Sequence, residues 1–368
     1  MAEGDARFPA RSGTAARHPF GFGQRRRFPA SGLGCLMTRP SAMTDEESAV
    51  DRILDAHQHF WDADERRATP FRPEHYQAMA ADTDLPIVAT VFAECMTAYD
   101  MRLPSSLAST GETRFAARMA ERHAASTIRF ASGIIAFADP LANEASFATV
   151  VDAHRDAANG RLRAVRRSVA WDEDGSLNYA VLQTSRGMLA RREMRDAAHI
   201  LADRDLLFET WLYHPQIGEL EELAMAVPGC TFILDHAGTP LASGRHAGVA
   251  VEGEWRDAMA ALADRPNVAV KIGGLVTPGT AVDARRKARG LERWTRDALA
   301  EDIAPWLDHL IDRFGPGRCL FETNFPVDAA HCDLGILVGA YLDVLSGLCD
   351  RDRQAILYGN AAALYAIT

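Results

Sequence analysis

The stretch Ile53-Leu54-Asp55-Ala56-His57-Gln58-His59-Phe60-Trp61-Asp62 decides how the chain is read. Its apolar opening reads as a strand, and its end carries two histidines at i and i+2. Side chains two apart on a strand point to the same side. His57 and His59 therefore face one way, with imidazoles close enough to share one ion. Downstream the pattern repeats: a short apolar run, a turn, then an Ala/Leu/Arg/Glu stretch with helical spacing. Strands are expected at 53–60, 87–95, 128–137, 162–169, 206–213, 231–235, 268–272 and 319–322. Helices are expected at 112–125, 145–159, 188–204, 217–226, 253–263, 300–314, 334–348 and 350–366. Eight such units predict an α/β chain closed into a (β/α)8 TIM barrel. A doubly wound open sheet is the competing architecture, but no GxGxxG follows the first strand and no GxxxxGK[ST] occurs. Residues 277–292 read as an Arg-rich insertion after the seventh strand, either a lid over the mouth or a solvated loop.

Composition agrees with this reading. The 368 residues are 48% hydrophobic and 24% charged, which excludes wholesale disorder and fibrous repeats and leaves ample chain for one large core. A net charge of −10 argues against a nucleic-acid partner. The apolar run 334–342 stops at Asp343, short of the roughly 20 residues that span a bilayer, so no membrane partner is expected. Six cysteines without a CxxC pair fit reduced thiols and a cytoplasmic location. Residues 1–43 hold seven Arg and two acidic residues, which leaves −15 on the rest. Residues 1–50 are therefore read as a disordered extension or as a start assigned upstream of Met37 or Met43, with a targeting arm as the alternative. Residues 51–368 form the barrel.

Chemistry in such a barrel lies at the C-terminal ends of the strands. Strand five ends in Trp211-Leu212-Tyr213-His214-Pro215-Gln216, and strand six in Leu234-Asp235-His236-Ala237-Gly238. With His57 and His59 they bring four imidazoles to one mouth. Glu94 ends strand two, Arg163, Arg166 and Arg167 belong to strand four, and Lys271 to strand seven. Lys271 reads best as a buried ion-pair residue of the barrel interior. Strand eight ends in Phe321-Glu322-Thr323-Asn324-Phe325-Pro326-Val327-Asp328. A carboxylate at its tip would take a proton from a water. The position expected to hold it is Asn324, which accepts no proton at ordinary pH.

The strings DAHQHFWD, ETWLYHPQ, ILDHAGTP, VKIGGL, CLFETNFPVD and LYGNAAALY occur in that order. As a set they resemble the amidohydrolase superfamily, in its amidohydrolase-related branch of metal-dependent TIM-barrel hydrolases. That branch includes the sugar lactonases and 2-pyrone-4,6-dicarboxylate lactonase. The resemblance covers about residues 52–367. It implies His57, His59 and His214 as ligands of one divalent ion, with Zn the first choice, and His236 as a catalytic histidine. The family aspartate in strand eight corresponds to Asn324, so the resemblance leaves the base open between Asp328 and Glu94. The branch also contains lactonases that work without a metal.

The activity this implies is the opening of a small lactone by water, with a lactone or carboxylate as small-molecule partner. Arg167 would pair with a substrate carboxylate, and Tyr213 and Gln216 would contact the substrate. A metal-dependent non-oxidative decarboxylase of an unsaturated or aromatic acid is the alternative, for which Asn324 speaks mildly. A barrel that only binds a metabolite is the third reading. No GxSxG elbow is present, which disfavours a serine hydrolase of the α/β type. Specificity would reside in loops such as 61–86 and 240–253, and a homo-oligomer is the default assembly.

Overall fold

In the computed structural model the described residues are 51–141 and 144–368. The N-terminal extension of the sequence reading, residues 1–50, lies outside them. Eight parallel strands follow one another in chain order around a barrel. They are β1 (Ile53–Gln58), β2 (Ile87–Ala93), β3 (Arg129–Phe137), β4 (Leu162–Arg166), β5 (Leu207–Thr210), β6 (Phe232–Leu234), β7 (Val268–Lys271) and β8 (Cys319–Leu320). The ring is closed by backbone bonds between the first and last strands. Ala56 N–H donates to the Phe321 carbonyl at 3.1 Å, Asn324 N–H to His57 at 3.0 Å and His59 N–H to Phe325 at 2.8 Å.

Helices α1 (Pro73–Ala81), α2 (Thr110–Arg122), α3 (Glu144–Ala157), α4 (Arg192–Ala202), α5 (Ile217–Ala226) and α6 (Glu252–Ala263) form the outer ring with four longer or later ones. Those are α7 (Ala281–Ala288), α8 (Arg296–Phe314), α9 (Leu334–Leu345) and α10 (Asp350–Gln354). The last helix, α11 (Asn360–Leu364), follows a π-helical turn at Ala355–Gly359. None of the described helices is long and apolar enough to cross a membrane. Cys95, Cys230, Cys319 and Cys332 are free thiols.

Two apolar layers fall out of the strand alternation. One set of side chains packs outward under the helices, where Trp255, Trp294 and Trp306 are fully buried. The other fills the barrel: Leu54, Ala89, Ile135, Ala164, Leu207, Ile233, Ala269 and Leu320, with Leu364, Tyr365 and Ile367 from the C-terminal segment packed against them. The apolar segment is thus part of the core it closes.

Three expectations need correction. Residues 61–86 hold helix α1, missed because Pro73-Glu74-His75-Tyr76 carries little apolar periodicity; Tyr76 alone is fully buried there with Pro73 and Ala80 close behind. The 277–292 insertion is a docked helix, α7, whose N-cap Thr280 accepts the Asp283 N–H and whose Val282, Asp283 and Arg286 are buried. It is not a solvated loop. The C-terminal helix expected over 350–366 is a continuous helical run that ends at Leu364 and carries a π-helical turn at Ala355–Gly359 in its middle.

Candidate active site

Period-2 alternation carries each inward apolar side chain to a second inward one two residues later. On five consecutive strands that second residue is ionisable: Arg166 after Ala164, Glu209 after Leu207, Asp235 after Ile233, Lys271 after Ala269 and Glu322 after Leu320. A charged layer therefore sits on the apolar one. Lys271 Nζ lies 2.6 Å from Glu209 Oε2 and 3.0 Å from Asp235 Oδ1. Arg166 Nε donates to Asp235 Oδ2 at 2.7 Å and its Nη1 to Glu94 Oε1 at 3.1 Å. Tyr365 O–H reaches up from the C-terminal segment to Glu209 Oε1 at 2.7 Å. Burial pushes the Glu209 carboxyl up to about 7, against the pull of Lys271. For Asp235 burial pushes the same way, but Lys271, Arg166 and His57 outweigh it and hold the carboxyl well below the usual range. Lys271 is the buried ion-pair residue its sequence context suggested.

His57 and His59 stand above this layer. Strict alternation from Leu54 and Ala56 would turn both histidines outward, yet the pairing of β1 with β2 slips between Asp55 and Gln58 and resets the phase. Asp55, before the slip, faces out, where its carboxylate accepts Tyr76 O–H at 2.8 Å and Thr323 N–H at 2.9 Å, tying β1 to α1 and to the segment after β8. The two histidine rings meet edge to face at 82°, with their Nε2 atoms 3.2 Å apart. His59 Nδ1 donates to the Ala93 carbonyl at 2.8 Å, which leaves its Nε2 a bare lone pair. Burial lowers the pKa of both rings, that of His59 to about 3, so both are neutral.

That spacing fits an ion. Two bonds of about 2.0–2.1 Å at a tetrahedral angle put their nitrogens about 3.3–3.4 Å apart. His57 Nδ1 stands 3.1 Å from Lys271 Nζ and 3.3 Å from Glu322 Oε2. If Lys271 donates, the His57 hydrogen sits on Nε2 and points at His59. If Glu322 accepts, both Nε2 atoms are free for an ion. Glu322 Oε2, buried without a hydrogen-bond partner among the described residues, and Asp235 Oδ1, ion-paired with Lys271, flank that Nδ1.

His236 is held by the other oxygen of Glu322, which accepts both its backbone N–H at 3.0 Å and its ring Nδ1–H at 2.9 Å. Its φ of 56° is left-handed, and its ring lies 4.6 Å from that of His57. The two glycines of the VKIGGL string make this possible. A Cβ on Gly273 would fall 2.4 Å from Glu322 Cγ, and one on Gly274 would fall 2.4 Å from His236 Cβ. Glu322 and the glycine pair were missed in the sequence; the signal was the doubled glycine directly after a strand.

Asn324, also left-handed at φ 55°, turns its amide to Asp328 Oδ1 at 3.0 Å, and Thr277 O–H donates to the same oxygen at 2.6 Å. Asp328 Oδ2 is buried with no hydrogen-bond partner among the described residues. Burial pushes this carboxyl up to about 7.

The remaining expected residues lie elsewhere. His214 does not join the His57–His59 pair. Leu241 N–H donates to its Nδ1 at 3.1 Å, so the neutral ring carries its hydrogen on Nε2 and has no lone pair there for an ion. Its ring packs 5.4 Å from His246. Among the described residues the triads of convergent ligand atoms are His57–His236–Glu322 and His57–Glu209–Asp235. Gln216 is spent on backbone: it accepts Trp171 N–H at 2.9 Å and donates to the Val169 carbonyl at 2.9 Å. Tyr213 O–H donates to the Leu177 carbonyl at 2.6 Å, and its ring lines a 340 Å³ pocket with Trp211, Tyr179, Thr239 and Thr277. Trp211 brings this pocket to His236, at 6.3 Å between rings. Glu94 and Arg167 line a larger cavity of 1030 Å³ on the other side of the mouth. Arg167 Nη1 is occupied by the Ser168 and Leu182 carbonyls at 3.2 and 2.8 Å, and its Nε faces Asp139 at 3.6 Å.

Residues 54–367 match the amidohydrolase family. The chain belongs to the amidohydrolases. It is a hydrolase by that membership. An uncharacterized protein of Sinorhizobium fredii, y4mH, is 31% identical over 257 residues, 70% of this chain and 75% of that one. An L-fucono-1,5-lactonase of Burkholderia ambifaria is 25% identical over 326 residues, 85% and 95% of the two chains. The crystal structure of an amidohydrolase from Burkholderia multivorans with bound Zn superposes with a TM-score of 0.65 at 20% identity, over 86% of this chain and all of that one. This amidohydrolase thus has the barrel of its relatives.

Proposed function

We propose that this amidohydrolase opens a lactone by attack of water. The observation that carries the reading is the Asp328 carboxyl, held at one oxygen by Thr277 and Asn324 with the other oxygen free, at the mouth beside His236. Asp328 Oδ2 takes the proton of the attacking water, the role the strand-eight position cannot fill as Asn324. Asn324 instead fixes Asp328. His236, its Nδ1–H committed to Glu322, presents Nε2 to the reacting ester and orients the water. The 340 Å³ pocket receives the ring, with Trp211 and Tyr213 against its C–H face and threonine hydroxyls for its oxygens. His57 and His59 would hold a divalent ion, for which two imidazole nitrogens make zinc the first candidate. Such an ion supplies polarisation of the carbonyl and a lowered pKa for water.

The lactonase relatives support this choice over decarboxylation. Asn324 speaks mildly for a decarboxylase, and the buried carboxyl of Asp328 beside it supports water attack instead. The test is a panel of five- and six-membered lactones followed by acid release, with carboxylic acids followed by carbon dioxide release. The double substitution His57→Ala, His59→Ala is expected to lose activity and any bound transition metal together, read by elemental analysis. Carbon dioxide from the acids with inert lactones would overturn the reading.

A further inference from the structure

Two cavities flank the mouth, and the turn Ala180–Leu182 separates them. Tyr179 lines the 340 Å³ pocket, whereas Val181 and Leu182 line the 1030 Å³ cavity. The smaller one has the size of a single substituted ring. The larger is about three times that volume and begins at Glu94, next to the Ala93 carbonyl that holds His59. Met96, Phe137, Val150 and Leu182 contribute apolar wall, and serine hydroxyls, Ser106 among them, interrupt it. Two exposed apolar side chains stand on its lining, Met101 at 82% and Val181 at 54% exposure. Such surface gains free energy when something apolar covers it.

The charges around the cavity decide what that occupant is. Asp64, Glu65, Glu94 and Asp139 line it against Arg66 and Arg167. Arg66 donates to the Met96 carbonyl, and Arg167 gives Nη1 to the Ser168 and Leu182 carbonyls while its buried Nε faces Asp139 at 3.6 Å. An anionic group entering here meets an excess of carboxylates. The facing Asp139 argues against Arg167 as the receiver of a substrate carboxylate.

We infer that the larger cavity takes a neutral, mostly apolar arm of the substrate, an aryl or branched alkyl group attached to the ring that is opened. The substrate is then an arm-bearing lactone and not a bare small one. The inference rests on the lactone reading above for the identity of the ring, and on the cavity alone for the arm.

The experiment compares δ-valerolactone with derivatives carrying a 2-phenylethyl or a 2-carboxyethyl group on ring carbon 6. Calorimetry of 3-phenylpropan-1-ol and 3-phenylpropionate accompanies it. Wild type, Ser106→Trp, which fills the cavity, and Val181→Asp, which charges its rim, are compared. The phenylethyl arm is expected to raise kcat/KM at least tenfold over the parent and the carboxyethyl arm to give no gain. The alcohol is expected to bind more tightly than the acid, and both substitutions to weaken it about tenfold and to bring the phenylethyl-to-parent ratio towards one. Equal kcat/KM for the three lactones, a preference for the carboxylate arm, or no binding of the alcohol overturns the inference while the lactone reading stands. If no lactone is opened the lactone reading falls, and alcohol binding lost in both variants still supports the arm cavity.

Discussion

Asp328 is the residue on which the proposed chemistry turns, and its burial sets the sign of two pH effects. Its carboxyl rises from the ordinary 3.8 to about 7 because burial penalises the charge. As proton acceptor it must be ionised, so kcat/KM is expected to climb as pH passes about 7. Asp328→Asn is expected to lower kcat by roughly 10²–10⁴-fold and to remove that limb. Stability moves the other way. A carboxyl raised in the folded state contributes most below its unfolded value, and that contribution is lost as pH rises through about 7. Urea midpoints at pH 5 and pH 8 should therefore differ less in Asp328→Asn than in wild type, and an unchanged difference would remove Asp328 from the account. Gly274 makes a second prediction at this scale. At φ +67° and with His236 Cβ 2.4 Å from where its own Cβ would be, Gly274→Ala must displace the histidine. We expect a loss of at least about 1–3 kcal/mol, from left-handed backbone strain alone, together with lowered kcat. Wild-type kcat in this variant would show that the placement of His236 is unimportant.

The elements differ in what sustains them. The barrel strands are apolar on both faces and form where alternation says they should. Except at β3, the chain then leaves the ladder one to three residues earlier than the apolar runs suggest, as at β5, expected at 206–213 and observed at Leu207–Thr210. Those released residues are the ones whose side chains turn into the mouth. Helix α7 is the opposite case, an Arg-rich segment with little apolar face. Its cap does what packing does elsewhere: Thr280 Oγ1 accepts the Asp283 N–H at 3.2 Å and donates to the Thr277 carbonyl at 3.0 Å, and Asp283 pairs with Arg286 at 2.9 Å. Thr280→Ala is expected to cost about 1–2 kcal/mol by chemical denaturation. Because Thr277 and Thr280 line the 340 Å³ pocket, the same change should raise KM more than it lowers kcat. An unaltered midpoint would mean that α7 is held by its outer ion pairs with Glu252 and Asp302.

At the scale of the whole molecule, five strands contribute to one buried charged layer, and the C-terminal segment reaches it through Tyr365. Lys271 lies at its centre, bridging Glu209, Asp235 and His57. Replacing one member of a buried ionic set leaves the others unpaired, so Lys271→Met is expected to destabilise the fold by about 3–5 kcal/mol. A variant as stable as wild type in urea would show that the carboxyls take up protons to compensate, which Glu209, already near 7, is placed to do first.

Much of this was legible in the chain itself. The order of strands and helices, the barrel class, the His57–His59 pair and the placing of Lys271 inside all follow from local alternation, which depends on neighbours two to four residues apart. The resemblance in ordered strings named the family. What the sequence could not determine were relations between strands. The slip of β1 on β2 that turns His57 and His59 inward is a property of pairing, invisible along one strand. His214 ends every bit as suitably as His236 in sequence, yet a backbone N–H from Leu241, 27 residues on, takes its nitrogen, while Glu322, 86 residues on, anchors His236. Only the closed barrel brings Thr277 and Asn324 to one oxygen of Asp328, because a hydrogen bond between distant residues exists only once packing has excluded the water that would otherwise satisfy each group.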